Sequence, residues 1–175
     1  MKELIERRRI IDIDTAPNTN NVYTGICLLS NSEVVLLLNF NEEYGDFDGF
    51  TIIKNQDFEL YREWQDSEYT EVRNDNSKDL ITGIDPNDFQ DMKAAFKTLI
   101  GKLVSVFTYD DEDSYWVGKV LVVNDNSVEL HLISENAEWT DQQVFLFSDI
   151  SYLGFDTRYE KNLVTAIDSF SPKNK

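Results

Sequence analysis

Polar and apolar residues alternate with a period of two over much of the second half of the chain, the pattern of strands with one buried face. LVSVFTY (103–109) and YWVGKVLVV (115–123) predict two strands joined by the charged turn DDEDS (110–114). NDN (124–126) is a tight turn of residues that tolerate left-handed backbone. SVELHLI (127–133) then returns with Val128, Leu130 and Leu132 on one face and Glu129 and His131 on the other. SENAEWTD (134–141) reads as a loop, and QVFLF (143–147) and ISYLGF (150–155) complete a five-strand meander. Ahead of it, DPNDFQDMKAAFKTLIGK predicts a helix, with Asp85 as N-cap, Pro86 at the first helical position and Gly101 at the end. Phe89, Met92, Phe96 and Leu99 or Ile100 fall on one face of that helix.

The first half repeats this order. KELIERRR (2–9) predicts a short helix, IIDID (10–14) a strand and APNTN (16–20) a turn region. VYTGICLLS (22–30), SEVVLLLNF (32–40), FTIIK (50–54) and FELYR (58–62) supply four more strands. In register, Tyr23-Thr24-Gly25 meets Trp116-Val117-Gly118, and Asp57-Phe58 meets Asp149-Ile150. Val34, Leu36 and Leu38 likewise meet Val128, Leu130 and Leu132. Gly25 and Gly118 lie mid-strand, where glycine weakens a strand unless the sheet bends sharply or another backbone passes close. A bent second strand lets five short strands curl into a barrel. The expected organisation is a first module over 1–65, a linker over 66–84, a second module with its N-terminal helix over 85–168 and a flexible tail over 169–175. The linker is either a tether or a segment lying along the first module, anchored by Trp64 and Tyr69.

A leading helix, five short strands and a kinked second strand together resemble the Sm-like (SH3-like) small β-barrel. Gly118-Lys119-Val120, Asp149-Ile150 and RYEKNL (158–163) carry the resemblance in the second half, and EVVLLLNF (33–40) and DGFTII (48–53) in the first. Both halves are similar to modules in uncharacterised bacterial proteins. The expected fold is thus mainly β with short helices: two tandem five-stranded Sm-like barrels, each preceded by a short helix. The resemblance implies RNA binding, as rings, through polar and basic loop residues. Here the corresponding loops, NEEYGDFDG (41–49) and SENAEWTD, are acidic.

Charge changes the picture most. The net charge is −17, and between Ile10 and Ile53 there are seven acids and no Lys or Arg. From Leu103 to Thr157 the only basic residue is Lys119. Phosphate backbones are bound by clustered Lys and Arg, so nucleic acid is a disfavoured partner. With 41% hydrophobic residues the chain can bury a core despite its charge. No apolar run reads as a signal peptide, and none approaches the ~18 residues of a membrane span, so a soluble cytoplasmic protein with no membrane partner is expected. The single cysteine, Cys27, leaves no intramolecular disulfide and no cysteine-based zinc site.

Two segments stand out as a candidate partner-binding surface. NEEYGDFDGF (41–50) sets Tyr44, Phe47 and Phe50 among Asp46 and Asp48, and exposed rings between acids would give contact area while the acids steer a basic partner. The alternative is that Phe47 and Phe50 close the open end of the barrel. Asp110, Asp111, Glu112 and Asp113 form the other segment. It lacks the EF-hand spacing, since the sixth position is Tyr115 rather than glycine, and reads as a solvated turn that discourages edge pairing. The sole histidine, His131, has no recognisable triad or zinc companions and is expected at the surface. The scattered glycines fit no phosphate loop. No catalytic, cofactor-binding or metal residues are assigned.

EVVLLL (33–38) is apolar in both phases, so Val35 and Leu37 need a cover outside the first module: the helix 86–100, the second module or another copy of the chain. The expected function is non-catalytic, an interaction protein showing an acidic surface to a basic protein partner, with an immunity- or antitoxin-type inhibitor as its specific form. RNA binding is the alternative that the fold favours. An enzyme using carboxylates is a third reading, and predicts an acid with a raised pKa in a pocket.

Overall fold

The computed structural model of the chain describes residues 2–15 and 21–170, with the backbone alone at 2, 4, 111–114 and 168–170. The turn region at 16–20 and the tail from 171 lie outside the described residues. In chain order the elements are α1 (Lys2–Arg7), β1 (Ile10–Asp14), β2 (Val22–Ser30), β3 (Val34–Asn41), β4 (Asp46–Lys54), β5 (Leu60–Glu63), α2 (Ser77–Ile81) and α3 (Met92–Thr98). Then come β6 (Leu103–Thr108), β7 (Asp111–Val123), β8 (Ser127–Ile133), β9 (Trp139–Leu146), β10 (Ile150–Phe155) and α4 (Arg158–Phe170). Among the described residues no helix is long and apolar enough to cross a membrane.

The molecule is mainly β, as its period-two pattern requires. All ten strands join one open antiparallel sheet in the order β5-β1-β2-β3-β4-β10-β6-β7-β8-β9. Each half contributes the same internal order, its fifth strand lying beside its first. Where two separate five-stranded barrels were expected, β4 and β10 pair across the halves, Phe50 with Phe155 and Ile53 with Tyr152. The outer strands of the sheet are β5 and β9.

Val34, Leu36 and Leu38 of β3 and Val128, Leu130 and Leu132 of β8 all enter one core shared by both halves. Helix α3 closes it with Met92, Ala95 and Phe96, while Phe155 stacks between Phe50 and Phe89 at centroid distances of 5.2 Å. Asp91 caps α3 by accepting from the Ala94 amide at 2.7 Å. Val35 and Leu37 occupy a second, smaller core with Ile11, Ile13, Cys27 and Ile53. Their cover is Ile5 of α1 with Tyr23 and Phe58, and among the described residues of the second half only Tyr152 reaches in. The main joint between the halves therefore runs through β4 and β10, and α3 packs on the opposite face from Val35 and Leu37.

The mid-strand glycines sit where another backbone passes close. A Cβ on Gly25 would lie 2.2 Å from the Leu38 carbonyl oxygen, and one on Gly118 2.9 Å from that of His131. Each glycine is followed by a register shift, between Cys27 and Leu29 in β2 and between Val120 and Val122 in β7. The segment 66–84 lies along the first half: the Asn76 amide group brackets Phe47 by accepting from its N–H and donating to its carbonyl, each at 2.9 Å. Tyr69 anchors it too, its hydroxyl accepting from the Ile10 amide at 2.8 Å.

Candidate functional site

Of the two segments singled out by sequence, the first is turned inward. Residues 42–45 form the turn, and Asp46 onward belongs to β4 rather than to a loop. Phe47 is 3% exposed and Phe50 2%, so both rings are core and neither offers partner contact area. They lie three residues apart yet face the same way because Gly49, at φ 66°, takes up the odd residue where the β3–β4 register slips. Asp46 is ion-paired to the Arg158 guanidinium, and Asp48 accepts from the Arg158 amide at 2.8 Å. The same guanidinium lies 4.7 Å from the centroid of the Tyr44 ring. Tyr44 and Asp46 thus converge on the Arg158 side chain and Asp48 on its backbone, and the three act as a clasp between the halves. Asp46 Oδ1 and Arg158 Nη1 are buried without a hydrogen-bond partner.

The second segment lies at the other end of the joint. Phe155, near Asp46 and Asp48, pairs with Val104 at one end of β10, whereas Ile150 pairs with Thr108 at the other, and Asp110 follows there. The two segments are not brought together. Asp110 is exposed; the side chains of Asp111, Glu112 and Asp113 lie outside the described residues, and their backbone extends β7, so the turn is shorter than DDEDS. Asp110 and Asp149 line a hollow of about 440 Å³ with Trp116, Gln143, Val144 and Leu146, and among the described residues no basic one lines it. Val144 is 57% and Leu146 48% exposed, on the outer strand β9, whose only sheet partner among the described residues is β8. Apolar side chains, carboxylates and an unpaired strand edge coincide here.

No protein family, curated protein or solved structure matches this chain.

Around the hollow, the halves are tied again. Tyr109 donates its hydroxyl proton to Asp57 while Gln56 donates to the Tyr109 oxygen at 3.2 Å. Burial, and then the Asp57 carboxylate, push the Tyr109 phenol well above its ordinary pKa. Lys54 donates to the Ser148 carbonyl at 2.7 Å and lies over the Tyr109 ring, and burial lowers its pKa. His131, expected at the surface, is half-buried and stacks on Trp139 with centroids 4.6 Å apart. Among the described residues no group of three or more His, Cys, Asp or Glu side chains could hold a metal. Cys27 is buried, which pushes its thiol up to about 11, far from nucleophilic at neutral pH.

Proposed function

We propose that this chain is a non-catalytic interaction protein built from two Sm-like units, and that it receives a basic partner at the β9 edge. The observation that carries the reading is the hollow at Asp110 and Asp149, with Val144 and Leu146 exposed on β9, the outer strand of the sheet. An extended segment of alternating basic and apolar residues can add to such an edge. Its backbone pairs with β9, its apolar side chains cover Val144 and Leu146, and its cations meet the carboxylates. Asp111, Glu112 and Asp113 follow Asp110 in sequence and add to the acidic field that steers a cation inward. A basic nuclease covered at its active site, as by an immunity- or antitoxin-type inhibitor, is the specific partner this chemistry suits.

The test is a titration of isotopically labelled protein with an alternating Lys-Val peptide, its Glu-Val counterpart and a short RNA, followed by amide chemical shifts. The expected result is saturable movement of β9 and Asp110 amides with Lys-Val alone, weakened by salt and by D110N/D149N. Equal movement with Glu-Val, or none with either peptide, would refute the reading. Preferential binding of the RNA would transfer it to the nucleic-acid alternative.

A further inference from the structure

Helix α4 leans over the outer face of the second half, where Leu103, Val117, Ile133 and Leu163 form a small apolar core. Its start follows from sequence: in Thr157-Arg158-Tyr159-Glu160 the Glu160 carboxylate accepts from the Thr157 amide at 2.8 Å and from the Thr157 hydroxyl, the glutamate half of a capping box. Between helix and sheet lies a wedge of about 330 Å³, at the opposite end of β6 from the acidic hollow. Trp139, Val164 and Ile167 give it apolar walls, and Lys102, Lys119 and Lys161 surround it.

Three lysines at one cavity is an uneven allotment in a chain with 33 acids and 16 basic residues. Lys119 is the sole cation between Leu103 and Thr157, yet it stands here. Both acids that line the wedge are already engaged, Asp156 by a lysine of the wedge itself. Asp156 pairs with Lys102 at 3.1 Å, and Glu160 accepts from Ser105, from the Thr157 hydroxyl and from the Thr157 amide. Lys119 and Lys161 form no ion pair among the described residues. Trp139 is held as a wall by stacking on His131, whose register partner on β7 is Lys119.

We propose that this wedge is a binding site for a small organic anion, with a planar apolar body against Trp139, Val164 and Ile167 and a carboxylate or phosphate between Lys119 and Lys161. The volume falls at the lower end of ligand pockets, which combine apolar walls with a few convergent polar groups. The site is independent of the β9 edge and of its basic partner.

1-Naphthoate tests the proposal, with neutral 1-naphthamide and inorganic phosphate as comparisons, read by amide and indole chemical shifts. Saturable shifts at Lys102, Lys119, Trp139 and Lys161 are expected from naphthoate, with naphthamide and phosphate each binding about tenfold more weakly or worse. K119Q/K161Q should weaken naphthoate by about fivefold to tenfold while keeping the shift dispersion of the folded protein. V164W keeps all three lysines but fills the wedge, and should abolish binding. Equal affinity for naphthamide, or for phosphate, overturns the proposal. So does unchanged naphthoate binding in either variant, or no saturable shift at the wedge up to about 10 mM.

Discussion

Replacing Gly25 by alanine probes the glycine whose Cβ position is the most tightly blocked. A Cβ there would meet the Leu38 carbonyl oxygen at 2.2 Å and its carbon at 3.0 Å, whereas real Cβ contacts hold to 3.0 Å or more. The obstacle is backbone on both sides, so relief requires β2 and β3 to part within a ladder that pairs Gly25 with Asn39 and Ile26 with Leu38. Overpacking of this kind costs ~1–3 kcal/mol, and each strained ladder hydrogen bond adds ~1 kcal/mol. Against it stands the ~0.4–1 kcal/mol that alanine gains by restricting the unfolded chain. The net expectation for G25A is a loss of about 3 kcal/mol. At Gly118 the same atom would stand at 2.9 Å, almost tolerable, and G118A should lose about 1 kcal/mol or less. Nothing lies within 4 Å of a Cβ on Gly83, so G83A should be neutral or slightly stabilising. Urea unfolding with all three variants, comparing midpoints at constant slope, measures this ordering. A G25A protein within about 0.5 kcal/mol of the parent, or a G118A protein that suffers more, would refute the steric account.

At the clasp, R158M should destabilise by about 2–3 kcal/mol because Asp46 stays behind unpaired, while R158M/D46L should recover most of the loss; thermal unfolding of the single and double variants reads the difference. E160A removes the α4 cap and takes the acceptor from the proton of the buried Ser105 hydroxyl, which keeps only the bond it accepts from Tyr115, so a loss of about 2–4 kcal/mol is expected by urea unfolding, and a loss below about 0.5 would contradict it. Burial raises Tyr23 and Tyr115 to about 12 and Cys27 to about 11, above their unfolded values of 10.0 and 9.0. The folded chain then keeps protons that the unfolded chain gives up, so their contribution is full below pH 9 and is lost as pH rises toward 12. Urea midpoints that stay flat over that range, or Cys27 that reacts with a thiol reagent in the native state at pH 8, would contradict the burial argument.

Strand positions were legible because their signal is local. β1, β2, β8 and β10 run over the residues that alternation predicts, and Gly25 and Gly118 mark close backbone approaches as mid-strand glycines should. Phe47 was misplaced because Asp46-Phe47-Asp48 alternates as a strand does, yet its acids suggested a loop; only Arg158, 110 residues on, explains how they are tolerated. Helix α4 had a readable cap in Thr157-x-x-Glu160 and an apolar face of Leu163 and Ile167, a signal overshadowed by the strands before it. The joint of β4 with β10 and the wedge under α4 rest on contacts remote in sequence, which no periodicity encodes.

That joint has a consequence for the order of events at the ribosome. β4 is complete at Lys54, but its neighbour β10 begins only at Ile150, roughly 100 residues later. At about 5–20 residues per second, the β4 edge waits some 5–20 seconds for its partner. During that interval the row Phe50, Thr51, Ile52 and Ile53 presents open backbone groups on a strand rich in β-formers. Nascent chains on one message would be at their most adhesive in this window, and slow translation of the second half would lengthen it.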